Sequence, residues 1–272
     1  MDTIELLTGK RDSLTPPQWM NFVGGGDFKE IGNEFFNYFK EIGRLKPNEK
    51  ILDVGCGIGR MAVSLTSYLK DGGSYEGFDI VARGIQWCQK KISPRALNFH
   101  FRHADIYNYG YNPTGKYKAV HYQFPYENHS FDFVFLTSVF THMLPQDMDH
   151  YFSEIKRVLK QGGRCFITFF LLNEESLGLI NAGASTIDFK YKLDGYEGNL
   201  IKDSFIPEAA IAYPEQYIKE LYEKYNLEIC PPIRYGSWCG RKEFLSFQDI
   251  VLAVYGVESQ QAVRELNTAV GV

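Results

Sequence analysis

The chain has 272 residues, 44% of them hydrophobic, 23% charged and 15% aromatic, which fits one large folded domain or one domain with a cap. A net charge of -4 and a pI near 5.9 leave no global field to gather a polyanion, so nucleic acid is not the expected partner. Five cysteines, none paired as C-x-x-C, fit a reducing cytoplasm and argue against a zinc site; the charged N-terminus is no signal peptide, and no apolar run approaches a membrane span.

In chain order, "GGGDFKEIGNEFFNYFKEIGRLKP" predicts a helix over 28–45, with Asp27 as its N-cap and Pro47 beyond its end. "EKILDVG" predicts a short buried strand that ends in glycines. Ile58, Ala62, Leu65 and Leu69 then recur at helical spacing and predict a helix running to "DGG". "SYEGFDI" is the second strand, residues 82–93 the second helix of this alternation, and "LNFHFRHADI" (97–106) the third strand, with Leu97, Phe99 and Phe101 alternating. Residues 130–138 predict a fourth strand, 147–159 a helix and 162–171 a fifth strand. Strands alternating with helices imply an α/β fold: a doubly wound, mostly parallel sheet that binds ligands at the strands' carboxyl ends.

The alternation then breaks. Residues 173–213 read as a long irregular connection, "PEQYIKELYEKYN" as a helix, and "LEICPPIRYG" and "SFQDIVLAVYG" as two strands that could pair as an antiparallel hairpin at one sheet edge. The last stretch, 257–272, is a helix or a tail.

The stretch "ILDVGCGIGR" carries the chemistry. A strand, a glycine turn and a helix N-terminus make a site for a polar ligand group, because glycine lets the ligand approach the backbone. Gly55, Gly57 and Gly59 alternate directly after a strand bearing Asp53. A dinucleotide fingerprint would be G-x-G-x-x-G, and this loop has Gly59 one place early and Arg60 next to it, which weakens a nicotinamide reading. Asp79, ending the second strand, is placed to accept both hydroxyls of a ribose under either cofactor class. Asp105, ending the third, discriminates, since a carboxylate there can accept from an adenine amino group.

With Asp53, Asp79 and Asp105 ending three successive strands, the chain resembles the class I S-adenosylmethionine-dependent methyltransferases, of the small-molecule kind with a type 11 or type 12 domain. "ILDVGCGIG" matches that family's glycine motif, "GFDI" its ribose acid and "HADI" its adenine acid; "FPYENHSFDFVFLTSVFTHM" and "EIKRVLKQGGRCFITFF" match its fourth and fifth blocks. The resemblance implies a Rossmann-like seven-stranded sheet with a C-terminal antiparallel edge hairpin and an inserted lid. It implies S-adenosyl-L-methionine as cofactor and S-adenosyl-L-homocysteine as product. Asp53, Gly55, Cys56, Gly57, Gly59 and Arg60 would form the loop around the methionine part, Asp79 and Ile80 would hold the ribose, and Asp105 and Ile106 the adenine. Thr137 and Ser138 would touch the cofactor or close a turn.

The domains expected on this basis are an N-terminal helical cofactor cover (1–46), the cofactor-binding core (47–172), a lid for the acceptor (173–213), the C-terminal part of the sheet (214–256) and a tail (257–272). Gly24 to Gly26 would be the cover's hinge. The chain lacks the [DN]-P-P-[FY] of amide and adenine methylators and the acid that a metal-dependent catechol methylator carries after the fourth strand, so no metal is expected. His142, in "SVFTHML" after that strand, is the candidate general base; a histidine that merely bonds a backbone carbonyl is the competing reading. Tyr107, Tyr109, Tyr111, Tyr117, His121 and Tyr122, together with 173–213, are expected to form the acceptor pocket, with Trp238 and Arg241 closing it. Tyrosines among polar groups suit a hydroxylated small molecule or glycan methylated at oxygen. Two alternatives stand beside a methyltransferase: a cofactor-binding protein without catalysis and a nicotinamide oxidoreductase. A cytoplasmic protein without a membrane partner is expected, and a homodimer is compatible with the sequence.

Overall fold

The computed structural model describes residues 13–22 and 24–256; the reading of 257–272 as a helix or tail lies outside them. The chain divides into two compact units, Met1–Asp105 and Ile106–Val272. Seven strands form a mostly parallel sheet, and four short ones a second sheet. No helix of the described residues is long and apolar enough to cross a membrane.

In the first unit, α1 (Phe28–Glu41) starts where Asp27 accepts the N–H groups of Lys29 and Glu30 at 2.8 and 2.9 Å. That satisfies two of the donors a helix start leaves open. Its buried face, Phe28, Gly32, Phe35 and Phe39, packs on α2 (Arg60–Leu65). Gly32 permits the approach: a Cβ there would lie 2.6 Å from the Arg60 carbonyl oxygen. Strands β1 (Lys50–Val54), β2 (Ser74–Asp79) and β3 (Phe99–His103) pair in parallel, with Asp53 beside Gly77 and Asp79 beside His103. Helix α3 (Ala82–Lys91) connects β2 to β3.

Two expectations shift here. Helix α2 ends at Leu65, short of "DGG", because the Thr66 hydroxyl bonds the Val63 carbonyl at 2.7 Å and the chain turns. Leu69 is nevertheless buried as its spacing implies. Leu97 precedes β3 and is 85% exposed, so the inward alternation begins only at Phe99.

The second unit holds β4 (Phe131–Leu136), α4 (Pro145–Val158) and β5 (Leu159–Phe169), with β4 and β5 parallel. The expected C-terminal hairpin is present: β11 (Asp249–Tyr255) runs antiparallel to β5 on one side and to β10 (Leu227–Ile229) on the other. Helix α6 (Glu215–Lys224) leads into β10.

Residues 173–213 are not an irregular loop. They contain α5 (Glu174–Asn181), capped reciprocally by Asn173 and Ser176, and most of a small sheet of order β6-β9-β8-β7. Its members are β6 (Leu171–Leu172), β7 (Tyr191–Lys192), β8 (Leu200–Ile201) and β9 (Ile211–Pro214). Phe170, Leu172, Phe189, Ala210, Ala212, Trp238 and Cys239 bury one another against this sheet as a core of its own. Strands of two residues carry no visible period, which is why the pattern of the sequence does not announce them. The 107–122 insertion is held by paired turns: Ile106 bridges Tyr117, Asn108 bridges Asn112, and the Asn112 amide donates to the Ile106 carbonyl at 2.9 Å.

Candidate active site

The glycine loop leaves β1 with Gly55, Gly57 and Gly59 all at positive φ (82°, 58° and 79°). Gly59 has no alternative, because a Cβ would meet Ile92 at 2.4 Å and the Cys88 sulfur at 3.0 Å. The N–H groups of Gly55 and Cys56 both donate to the Phe78 carbonyl, at 2.9 and 3.1 Å, and that of Gly57 donates to Asp79 Oδ2 at 2.8 Å. These donors therefore turn toward the end of β2 rather than outward. What the loop offers a ligand is close backbone approach.

Asp79 is 8% exposed, and its second oxygen accepts the Val81 N–H at 2.7 Å. Burial raises its pKa, while the Val81 and Gly57 N–H groups and the nearby His103 draw it down. The Ile80 N–H adds a third backbone bond, and the carboxylate still keeps acceptor capacity beyond these. Asp53 is 1% exposed; Oδ2 accepts the Tyr75 hydroxyl at 2.5 Å, and Oδ1 is buried with no partner. Burial pushes Asp53 up to about 8, against the pull of that hydrogen bond. Two carboxyl groups at adjacent strand ends, one with an orphaned oxygen and one pre-oriented by backbone donors, fit a ligand carrying hydroxyls.

Ile80 is half-buried, its carbonyl facing the His103 imidazole at 3.2 Å. Asp105 lies two residues past β3, half-buried. Burial drives the Cys56 thiol well above its usual range, which removes it as a nucleophile. Arg60 is 7% exposed: Nη2 donates to Asn21 Oδ1 and the Gly24 carbonyl, both at 3.3 Å, and the guanidinium lies 5.9 Å from the Phe28 ring centre. It anchors the N-terminal segment to the first turn of α2. Phe22 in the same segment lies under the Arg83 guanidinium at 5.1 Å, and a Cβ on Gly84 would reach its ring at 2.9 Å.

In the second unit, Ile106 is buried and Thr137 half-buried. Ser138 is exposed, with φ at 59°. Its N–H donates to Thr168 Oγ1 at 2.8 Å and its hydroxyl to Gln248 Oε1 at 3.0 Å. His142 closes a short 3-10 turn (Phe140–His142). Its Nδ1 stands 2.9 Å from the Glu208 carbonyl, Asn108 donates to its carbonyl at 3.4 Å, and Tyr111 meets its ring edge-on at 5.6 Å. A carbonyl only accepts, so Nδ1 bears the hydrogen of the neutral ring and Nε2 the lone pair. Burial lowers the imidazole's pKa, against the pull of the Glu208 and Ala209 carbonyls, so the ring is neutral at pH 7. The segments expected to surround an acceptor, 107–122 and the lid, thus meet at His142, and Tyr107, Tyr109, Tyr111 and Tyr117 are exposed.

Trp238 and Arg241 are not pocket residues. Trp238 is fully buried and donates from Nε1 to Asp249 Oδ2 at 2.8 Å. Arg241, 6% exposed, donates to Glu175 at 2.7 Å and to Asp249 Oδ1 at 3.2 Å. Three polar residues here, Thr168, Gln248 and Asp249, have no sequence signal, because each is recognisable only by partners distant along the chain. Among the described residues, no group of three or more His, Cys, Asp or Glu is placed to hold a metal ion.

A family model of the methyltransferase domain matches residues 52–167, which run from β1 into β5 and include both acids and the glycine loop. The match makes that segment a methyltransferase domain, consistent with the class I S-adenosylmethionine-dependent methyltransferases. The methyltransferase domain is similar to phosphoethanolamine N-methyltransferase 2 of Caenorhabditis elegans, 28% identical over 156 residues, covering 56% of this chain and 31% of the relative. It is also similar to 27-O-demethylrifamycin SV methyltransferase of Amycolatopsis mediterranei, 25% identical over 175 residues, covering 61% of this chain and 57% of the relative. The chain therefore spans less than two thirds of either relative. Its fold is shared with a SAM-dependent methyltransferase from Methanosarcina mazei at a TM-score of 0.54 and 20% identity, covering 82% of this chain and 97% of that one. The cofactor of this domain class is S-adenosylmethionine.

Proposed function

We propose that the protein transfers a methyl group from S-adenosylmethionine to an oxygen of a small-molecule or glycan acceptor. One observation carries the reading: a histidine after the fourth strand whose Nδ1–H is fixed by the Glu208 carbonyl, leaving Nε2 as a base. When bound, the cofactor supplies an electrophilic methyl group on a sulfonium. A hydroxyl is a poor nucleophile until its proton is removed, and His142 Nε2 takes that proton as the oxygen–carbon bond forms and the sulfur–carbon bond breaks. Asp79 would receive the ribose hydroxyls, the glycine loop with Asp53 would hold the methionine end, and Asp105 would take the adenine amino group. Of the two curated relatives, the one covered over more of its length is named for methylation at oxygen.

Calorimetry with S-adenosylmethionine, S-adenosylhomocysteine and NADH tests the cofactor: micromolar binding of the first two and none of the third is expected. Label transfer from methyl-labelled S-adenosylmethionine to methyl glycosides, phenols and phosphoethanolamine then tests the acceptor. His142→Gln is expected to cut transfer to oxygen by about 100-fold while leaving S-adenosylhomocysteine affinity unchanged. Because burial lowers the imidazole pKa, the acid limb of the wild-type rate should lie below pH 6.5. Unchanged transfer in the variant would remove His142 as the base.

A further inference from the structure

Ser138 is a non-glycine residue in the left-handed region, at φ 59°, directly beyond the fourth strand. Such a conformation persists only where surrounding bonds over-determine it, and it concentrates at ligand sites. Here the bonds are explicit. Thr168 Oγ1 accepts the Ser138 N–H at 2.8 Å and passes its own hydrogen to Gln248 Oε1 at 2.6 Å. The Ser138 hydroxyl donates to the same Gln248 oxygen at 3.0 Å. Thr168 is fully buried and Gln248 is 9% exposed, whereas Ser138 is exposed, so the relay leads from the core to the surface.

The chemistry of Gln248 is then lopsided. Its oxygen has both lone pairs filled by hydroxyls, while its amide nitrogen, two donors, has no partner among the described residues and is not sealed from solvent. Both N–H groups are therefore available to solvent or to a ligand. Ser138 follows β4, Thr168 is the penultimate residue of β5, and Gln248 precedes β11, which runs antiparallel to β5. All three sit at the carboxyl end of the parallel pair, the end at which α/β sheets bind their ligands.

We propose that Gln248 is a specificity-determining residue, whose amide N–H groups donate to a hydroxyl or carbonyl oxygen of the methyl acceptor. Its own oxygen meanwhile locks Ser138 and Thr168. The inference rests on the methyltransferase reading above. It adds the requirement that the acceptor carry a hydrogen-bond-accepting oxygen near the atom that is methylated. The Ser138 hydroxyl, already donating to Gln248, acts as a brace.

The test uses the full chain labelled with nitrogen-15 and saturated with S-adenosylhomocysteine. The side-chain NH2 pair of Gln248 is assigned by its loss in Gln248→Glu. Methyl β-glucoside, 4-nitrophenol and phosphoethanolamine are titrated separately. A shift of that pair by at least one of the three is expected. If S-adenosylhomocysteine binds and none of the three moves the pair, the inference is overturned while the cofactor reading stands; if S-adenosylhomocysteine does not bind, both fall. The variant adds a kinetic readout, because Glu keeps an oxygen for the two hydroxyls and replaces the donor with a charged acceptor that repels an acceptor oxygen. With whichever probe is methylated, Gln248→Glu should raise the acceptor KM about tenfold with S-adenosylhomocysteine affinity unchanged. An unchanged acceptor KM would overturn the inference.

Discussion

Each of the two units buries an aspartate, and the two are furnished differently. Asp249, in the second unit, accepts four donors: the N–H groups of Leu171 and Gly236, the Trp238 indole and the Arg241 guanidinium, at 2.7 to 3.2 Å. Asp53, in the first unit, accepts one, the Tyr75 hydroxyl, and leaves Oδ1 bare. Burial raises both, Asp249 to about 6 and Asp53 to about 8. The gap between them follows from the donors, since each hydrogen bond to a carboxylate favours its charged form. A fully satisfied acid fastens β6, the 236–241 loop and β11 together, whereas the half-satisfied one at the edge of the glycine loop leaves a buried oxygen without a partner.

Removing Asp249 is expected to have the largest effect. Asp249→Ala strands three neutral donors and takes one of two carboxylates from a buried guanidinium, which should cost about 3–5 kcal/mol. Urea denaturation followed by Trp238 fluorescence measures it; a loss below about 1 kcal/mol would mean that the network does not hold the small sheet.

The pH dependence of stability separates the two acids. Each has a folded pKa above its ordinary 3.8, so the folded state holds a proton the unfolded state has released. Their contribution is fully present below about pH 4 and is lost as pH rises, up to about 6 for Asp249 and about 8 for Asp53. Between pH 6 and 8 only Asp53 of this pair still titrates. At up to about 1.4 kcal/mol per pH unit, the wild type should lose about 2–3 kcal/mol over that interval through this group. Asp53→Asn should abolish that slope, and Asp249→Asn should retain it. Denaturation midpoints at pH 6, 7 and 8 decide the matter, and a slope that survives in Asp53→Asn would refute the assignment.

The same contrast governs what the sequence makes legible. The first unit's site is nearly contiguous: Asp53, the three glycines and Asp79 fall at the ends of two neighbouring strands, each announced by its apolar run. The second unit's polar machinery is assembled across long separations, Ser138 with Gln248 and Thr168 with Gln248, and no local period encodes such a meeting. Arg241 and Trp238 look like a loop's recognition residues when read alone, and only the buried Asp249 explains them. His142 was legible as a position, but the carbonyl that selects its tautomer comes from Glu208, in the 173–213 segment. The structure shows the bond to a carbonyl; under the proposed function, the other nitrogen would serve as the base.

Asp79 gives the smallest expected effect, because its charge serves the loop as well as the ligand. Its oxygens hold the Gly57 and Val81 N–H groups, so Asp79→Ala removes two backbone anchors together with the acceptors for a ribose. Loss of charge-assisted bonds to the cofactor should weaken S-adenosylhomocysteine binding by about 1–3 kcal/mol, read by calorimetry. Asp79→Asn separates the two roles: one side-chain oxygen remains for a backbone donor, while the charge that strengthens a hydroxyl's bond is gone. If Asn restores the thermal midpoint lost in Ala but not the affinity, the carboxylate contacts the cofactor directly. If Asn restores both, Asp79 acts only by shaping the glycine loop, and the ribose is held elsewhere.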